Sequence, residues 1–116
     1  MYVISHEERE EKDVDAEGVE KTTVRWLIGR RSGAKTYAMR LFTMQPGGII
    51  ALHTHPEEHE IYVLEGKAKL LSDDGNDRIA KKGDVVFIPS DLPHGYDNTE
   101  STESFKFICV IPLLEK

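Results

Sequence analysis

Short apolar segments separated by turn-forming residues recur along most of the chain, and this pattern limits the folds open to it. Residues 22–28 and 36–44 are rich in β-branched and aromatic side chains, and the polar stretch between them contains Gly33. The sequence Asp73-Asp74-Gly75-Asn76 is typical of a hairpin turn. No segment keeps a helical period, so the pattern predicts an all-β sandwich or barrel of about nine short strands.

The other strands and the turns between them follow from the same pattern of apolar segments and turn-forming residues. Gln45-Pro46-Gly47-Gly48 is predicted to be a turn, and Gly66 and Gly83 separate later segments. The remaining predicted strands are 49–55, 61–65, 68–72, 78–81, 85–89, 94–97 and 105–111.

A chain of 116 residues holds one domain. Residues 21–116 are predicted to form it, as a single barrel. Residues 1–20 are polar and acidic with scattered apolar side chains, which is typical of an arm. Such an arm is either exchanged with a partner subunit or a frayed terminus, and the sequence does not separate the two.

Charge and cysteine content bound the function further. Fifteen Lys and Arg against twenty-one Asp and Glu give a net charge of −6, without a basic stripe, which argues against nucleic acid or an anionic membrane as partner. The single cysteine, Cys109, cannot form an intrachain disulfide and fits a reducing compartment. There is no signal-peptide pattern and no apolar run of transmembrane length, so we expect a cytoplasmic protein.

Four of the five histidines are candidates for a metal site. His53 and His55 are two residues apart on a predicted strand, so their imidazoles leave the same face. His59 follows beyond a turn at Pro56, and His94 opens a later strand. Neutral imidazole is a common metal ligand. Taken alone, His53 and His55 are equally well interpreted as two surface histidines. The presence of His59 and His94 in the same pattern argues against that interpretation. His6 lies in the polar arm and is interpreted as a solvated residue.

Two spaced motifs resemble those of the cupin superfamily. Gly47, five residues, His53-Thr54-His55, three residues, His59, six residues and Gly66 resemble the first cupin motif, G-x5-H-x-H-x3,4-E-x6-G. Gly83, five residues, Pro89, Leu92-Pro93-His94, three residues and Asn98 resemble the second, G-x5-P-x-G-x2-H-x3-N. The resemblance implies a small double-stranded β-helix (jelly-roll) barrel that holds one divalent metal ion.

Two positions depart from these motifs. Asp91 stands where the second motif has glycine, and Asp tolerates a left-handed backbone better than most residues. His59 stands where the first motif has glutamate, and Glu60 is the alternative ligand. Strand alternation places His59 on the same face as Ile61 and Val63, which favours His59. The resemblance then implies a four-histidine site, as in a subset of small single-domain cupins.

Four neutral ligands would leave the full charge on the ion, which favours an anionic or enolisable small molecule at an open position. Manganese or iron is the preferred cofactor, and nickel, copper and zinc are alternatives because imidazole suits them all. The sequence does not identify the metal.

Pocket residues are harder to predict. By analogy with the jelly roll, Phe105 and Phe107 are expected inside the barrel near the metal. Cys109 shares their face and either lines the pocket or, as we favour, is a small packing residue. Arg40 and Phe42 share a face of their strand. Arg40 either steers an anionic substrate or, as we favour, is a solvated residue.

Three functions of different classes remain open. The first is a metal-dependent oxidoreductase of the dioxygenase type. The second is a redox-neutral isomerase or lyase acting on a sugar or keto acid, which would need a general base such as Glu60 or Tyr96. The third is a non-catalytic module that binds a small ligand. Exposed strand edges in so small a barrel, and the resemblance itself, predict a homodimer.

Overall fold

The computed structural model describes residues 1–114, so the last two residues of the predicted 21–116 domain lie outside the described part. Its described residues form nine strands and two short 3-10 helices, His6–Glu8 and Arg30–Ser32. The strands are β1 Glu11–Asp13, β2 Val19–Ile28, β3 Tyr37–His53, β4 His59–Glu65, β5 Lys67–Ser72, β6 Arg78–Lys81, β7 Val85–Ile88, β8 His94–Asp97 and β9 Phe105–Pro112. The all-β prediction is confirmed. No helix in residues 1–114 is long and apolar enough to cross a membrane.

All the strands belong to one antiparallel sheet that curls into a nearly closed barrel. The order is β6-β5-β8-β3-β9-β4-β7, with β2 paired to β3 and β1 to β2. β3 is the longest strand. It joins β9 to β8 within the sheet, since its first half pairs with β9 and its second half with β8. Residues of the predicted arm pair as β1 with β2. Exchange of the arm with a partner stays a prediction.

The predicted turn at residues 45–48 is wrong, because β3 runs through it as a bend. Gly47 has a φ of +89°, which lets the chain change direction without leaving the sheet. Asn98 supports the bend: its backbone N–H donates to the Gly48 carbonyl (2.9 Å), and its carbonyl accepts from the Gly47 N–H (3.1 Å). The buried Asn98 side chain also donates to the carbonyls of Met44, Gln45 and Glu103. Asn98 therefore ties the bend in β3 together through both its backbone and its side-chain amide.

The core lies between the inward faces of the strands. β9 alternates between buried and half-buried residues, and its inward row is the one the sequence predicts: Phe105, Phe107, Cys109 and Ile111. Stacked rings extend the core across the barrel, with Phe107 5.1 Å from Phe42 and 5.1 Å from Tyr96 between ring centroids. This row of rings ends beside the histidines described next.

Candidate metal centre

Four imidazoles meet at one end of the barrel because strand register brings the two motifs together. His53, at the end of β3, lies directly opposite His94, at the start of β8. The His53 and His94 ring centroids are 4.4 Å apart, and those of His55 and His59 are 4.5 Å apart. His59 begins β4 and faces inward above buried Ile61 and Val63.

The loops that carry the ligands are tied to each other. The Asp91 N–H donates to the His55 carbonyl at 2.9 Å, and the Thr54 hydroxyl donates to the Asp91 carbonyl at 2.7 Å. The Ser90 hydroxyl donates to the Pro56 carbonyl. Asp91 has a φ of +65°, so it adopts the left-handed conformation that glycine supplies in the second motif. The 53–57 and 89–93 segments thus form one clasp.

Hydrogen bonds from Nδ1 orient two of the imidazoles and leave Nε2 of each ring available to a ligand. His94 Nδ1 donates to the Leu92 carbonyl at 2.7 Å, and His53 Nδ1 donates to the Ala51 carbonyl at 2.9 Å. A neutral ring that donates from Nδ1 carries its lone pair on Nε2. His94 Nε2 is buried and has no hydrogen-bond partner among the described residues. An unsatisfied buried lone pair beside other imidazoles fits a metal ligand.

Three of the four histidines have ligand atoms close enough to one another to share a single ion. One ligand atom from each of His53, His55 and His94 lies within 4.8 Å of the others. His59 is not part of this triple, although its ring centroid is 5.1 Å from that of His94. Its Nδ1 lies 3.4 Å from the Tyr96 hydroxyl. Three histidines can therefore hold a metal, and the fourth ligand stays a prediction.

Burial favours the neutral form of three of these imidazoles, those of His55, His59 and His94. It lowers the pKa of His59 to about 3, helped by the positive charge of Arg40. It also lowers the pKa of His94 to about 4, although the hydrogen bond to Leu92 opposes the shift. The pKa of His55 is lowered by burial and by His53, while Glu57 raises it. Neutral imidazole is the form that binds metal, so the site needs little deprotonation to accept an ion.

These shifts predict that the metal-free protein loses stability in mild acid. The unfolded state takes up protons at His59 and His94 as the pH falls below about 6.5, and the folded state does not until about pH 4 to 3. Unfolded chains therefore bind more protons across this window, and folding becomes less favourable as the pH falls. We expect the chelator-treated protein to be roughly 2–5 kcal/mol less stable at pH 4.5 than at pH 7 by urea unfolding. The His94→Asn variant should show a smaller pH effect, and an equal effect would contradict the assignment.

A cavity of about 330 Å³ opens beside the cluster. His53 and His55 line it, together with Arg40, Phe42 and Phe107. Apolar residues of β3 and β8 and the end of the predicted arm complete the wall: Val14, Ala16, Val19, Ile50, Ala51, Leu52 and Tyr96, with Glu17 as the one acid among the lining residues. The cavity is therefore a mainly apolar chamber with the imidazoles on one side.

The other predicted pocket residues are not at the cavity wall. Phe105 is buried in the core against Phe107, and Cys109 is fully buried with its thiol accepting a hydrogen bond from Arg40. Glu60 lies exposed on the outer face of β4, opposite Phe87. The arm residues at the wall carried no sequence signal, because long-range contacts bring them there: Val19 pairs with Ile50, and the Ala51 N–H donates to the Gly18 carbonyl.

A larger cleft of about 610 Å³ lies away from the histidines. Charged residues of both signs line it, among them Glu8, Arg9 and Arg30, together with Trp26. Several of these side chains already bond to backbone carbonyls, as Arg9 does to Leu27 and Arg30 to Leu114. The smaller cavity is therefore the one that can place a ligand beside the imidazoles.

The barrel, the clasp between its two loops and the inward-facing histidines together define a metal-binding domain of the cupin type. The chain belongs to the cupin superfamily: residues 40–111 match the family model Cupin_2, described as the cupin domain. This confirms the predicted jelly-roll barrel.

Three known proteins show what the chain is similar to. It is 38% identical over 78 residues to the oxalate-binding protein of Thermotoga maritima, matching 65% of this chain and 64% of that one. It is 37% identical over 70 residues to the oxalate decarboxylase OxdC of Bacillus subtilis, matching 56% of this chain but 18% of that one. The chain thus spans less than two thirds of either relative.

The third likeness is structural. The polyketide cyclase RemF from Streptomyces resistomycificus superposes with a TM-score of 0.92 at 33% identity, covering 98% of this chain and 80% of that one.

Proposed function

We propose that this chain is a divalent-metal-dependent enzyme that acts on a small enolisable carbonyl compound. The observation that carries the proposal is the convergence of His53, His55 and His94, with a buried unsatisfied nitrogen on His94, next to an apolar cavity. Concave apolar chambers with a few convergent polar groups are typical ligand sites. The names of the oxalate-related relatives support a small anionic ligand, since both carry that dianion in their names.

His59 is proposed as the fourth ligand. It is 6% exposed and faces inward beside His55, whereas Glu60 points to the outer face. With His59 Nδ1 donating to the Tyr96 hydroxyl, His59 Nε2 is free for an ion. Manganese or iron is our proposed metal, with nickel, copper and zinc as alternatives, because an all-imidazole set accepts each of them.

When bound, a divalent cation supplies a Lewis acid that polarises a carbonyl and stabilises the charge of its enolate. The chain's own residues contribute a mainly apolar chamber that orients the substrate. Phe42 and Phe107 form an apolar wall, and burial raises the pKa of the Tyr96 phenol, so its proton stays in place at neutral pH. Beside the four clustered histidines, residues 1–114 offer no further imidazole as a base, and Glu57 Oε1, 3.6 Å from His55 Nδ1, is the neighbouring carboxylate.

Ring closure of such an enolate is the reaction we favour. It is redox-neutral, and the likeness to a polyketide cyclase over almost the whole chain supports it. Oxygenation of the dioxygenase type is the second candidate, favoured by the uncharged donor set and the open positions that it would leave on the ion.

A single assay separates the two reactions. The metal-loaded protein is incubated with a panel of linear and aromatic polyketones, under nitrogen and in air, while oxygen uptake and product mass are followed. Conversion under nitrogen supports ring closure, and conversion only in air with oxygen uptake supports oxygenation. Inertness with every metal and substrate, together with failure to bind a β-diketone, would overturn the proposal.

We further propose a cytoplasmic homodimer in which residues 1–20 contact the partner. Trp26, Ile28 and Tyr37 are 47%, 39% and 63% exposed and lie at one end of β2 and β3. Apolar side chains gathered at one end of a sheet favour contact with a second copy. Light scattering should give the mass of two chains, and a monomeric mass at micromolar concentration would contradict the dimer.

A further inference from the structure

Arg40 is the one cation among the residues that line the cavity. It lies on β3 two residues before Phe42, so both side chains leave the same, inward face. His53 and His55 line the same chamber. The chamber therefore has an imidazole pole and a guanidinium pole.

The Arg40 side chain is held in one orientation by its neighbours. Its Cζ lies 4.8 Å from the Phe42 ring centroid and 5.4 Å from the Trp26 ring centroid. Its Nη2 donates a hydrogen bond to the Sγ of Cys109 at 3.3 Å, and Cys109 is the residue directly opposite Arg40 on β9. Arg40 is therefore half-buried and packed against its neighbours, whereas the sequence favoured a solvated side chain.

The positive charge of Arg40 has no acidic counterpart in the described structure. None of the ion pairs within residues 1–114 includes it. Its Nε is buried without a hydrogen-bond partner. Burial raises the pKa of Cys109, so the thiol stays neutral and does not balance the charge. A half-buried cation without a counter-ion favours an anionic ligand beside it.

We propose that Arg40 is a specificity-determining residue that binds a carboxylate of the substrate while the histidine cluster holds its enolisable carbonyl. The inference rests on the proposed function, because it assigns the second pole of the same site. The stacked rings of Phe42, Phe107 and Tyr96 lie between the poles and favour a flat, unsaturated body. The substrate class is a planar keto acid with its carboxylate remote from its β-dicarbonyl group.

Two matched compounds test this assignment on the zinc-loaded protein. Benzoylacetone is a flat β-diketone whose enolate absorbs in the ultraviolet, and its para-carboxylate adds only the remote anion. We expect the para-carboxylate to bind about ten- to a hundredfold more tightly, as for a hydrogen bond to a charged group. The neutral para-carboxamide should bind no more tightly than benzoylacetone.

Variants assign the preference to Arg40. In zinc-loaded Arg40→Gln, the ratio of the affinities for the para-carboxylate and for benzoylacetone should fall to about one, and Arg78→Gln, at an exposed hairpin, should retain the preference. An equal preference in Arg40→Gln overturns the inference, as does a carboxamide that binds like the carboxylate in the unaltered protein. The carboxamide comparison uses the unaltered protein, so it tests the inference even if Arg40→Gln fails to fold. Failure of both diketones to bind the zinc-loaded protein would instead overturn the proposed function, and this inference with it.

Discussion

Replacing His94 by alanine should lower the affinity for a divalent metal by at least about a hundredfold. His94 is 5% exposed, its Nδ1 is held by the Leu92 carbonyl, and its Nε2 has no other partner. The substitution thus removes a preoriented lone pair from the centre of the cluster. Metal content after dialysis, and a competition titration with a chromophoric chelator, measure the loss.

Matched variants make the result specific. His6→Ala, in the exposed 3-10 helix, should retain full metal content. His59→Ala should weaken binding and Glu60→Gln should leave it unchanged, since Glu60 is on the outer face. Full metal content in His94→Ala would contradict the proposed centre, and loss in Glu60→Gln but not in His59→Ala would transfer the fourth ligand to Glu60.

Replacing Gly66 by alanine should destabilise the protein by about 3 kcal/mol, the sum of a left-handed conformation and a steric overlap. Gly66 has a φ of +83°, and an added Cβ would overlap the Ser104 carbonyl oxygen and lie 3.1 Å from the Phe105 Cα. Both neighbours are backbone atoms at the start of β9, so they cannot move without disturbing the central strands. Urea unfolding measures the loss.

Gly75→Ala is the matched control. Gly75 has a φ of +78°, but an added Cβ would meet nothing within 4 Å. It should therefore lose only the conformational part, about 1 kcal/mol. Equal losses in the two variants would show that the overlap at Gly66 relaxes at no cost.

The fold and the histidines were predictable because they depend on local pattern. Alternation on β9 and β4 identifies the buried rows, and motif spacing identifies His53, His55 and His94 before any contact is known. The bend in β3 was not predictable, since the Gln45-Pro46-Gly47-Gly48 sequence has every local feature of a turn. What keeps it in the sheet is Asn98, about fifty residues later along the chain.

The cavity wall was predictable only in part, for the same physical reason. Phe42 and Phe107 follow from strand alternation, but Val14 and Ala16 reach the wall on the connection between β1 and β2, which the hydrogen bond from the Ala51 N–H to the Gly18 carbonyl ties to β3. Arg40 has the sequence context of a surface residue, and only its contacts with Trp26, Phe42 and Cys109 show that its side chain is packed against others. Long-range packing of this kind leaves no periodic signal in the sequence.

The clasp between residues 53–57 and 89–93 has an evolutionary consequence. Because the Asp91 N–H and the His55 carbonyl bond directly, an insertion in either loop would pull one ligand out of register with the other. Related sequences should therefore change the lengths of these two loops together or not at all, whereas the exposed hairpin at residues 73–77 is free to vary in length independently.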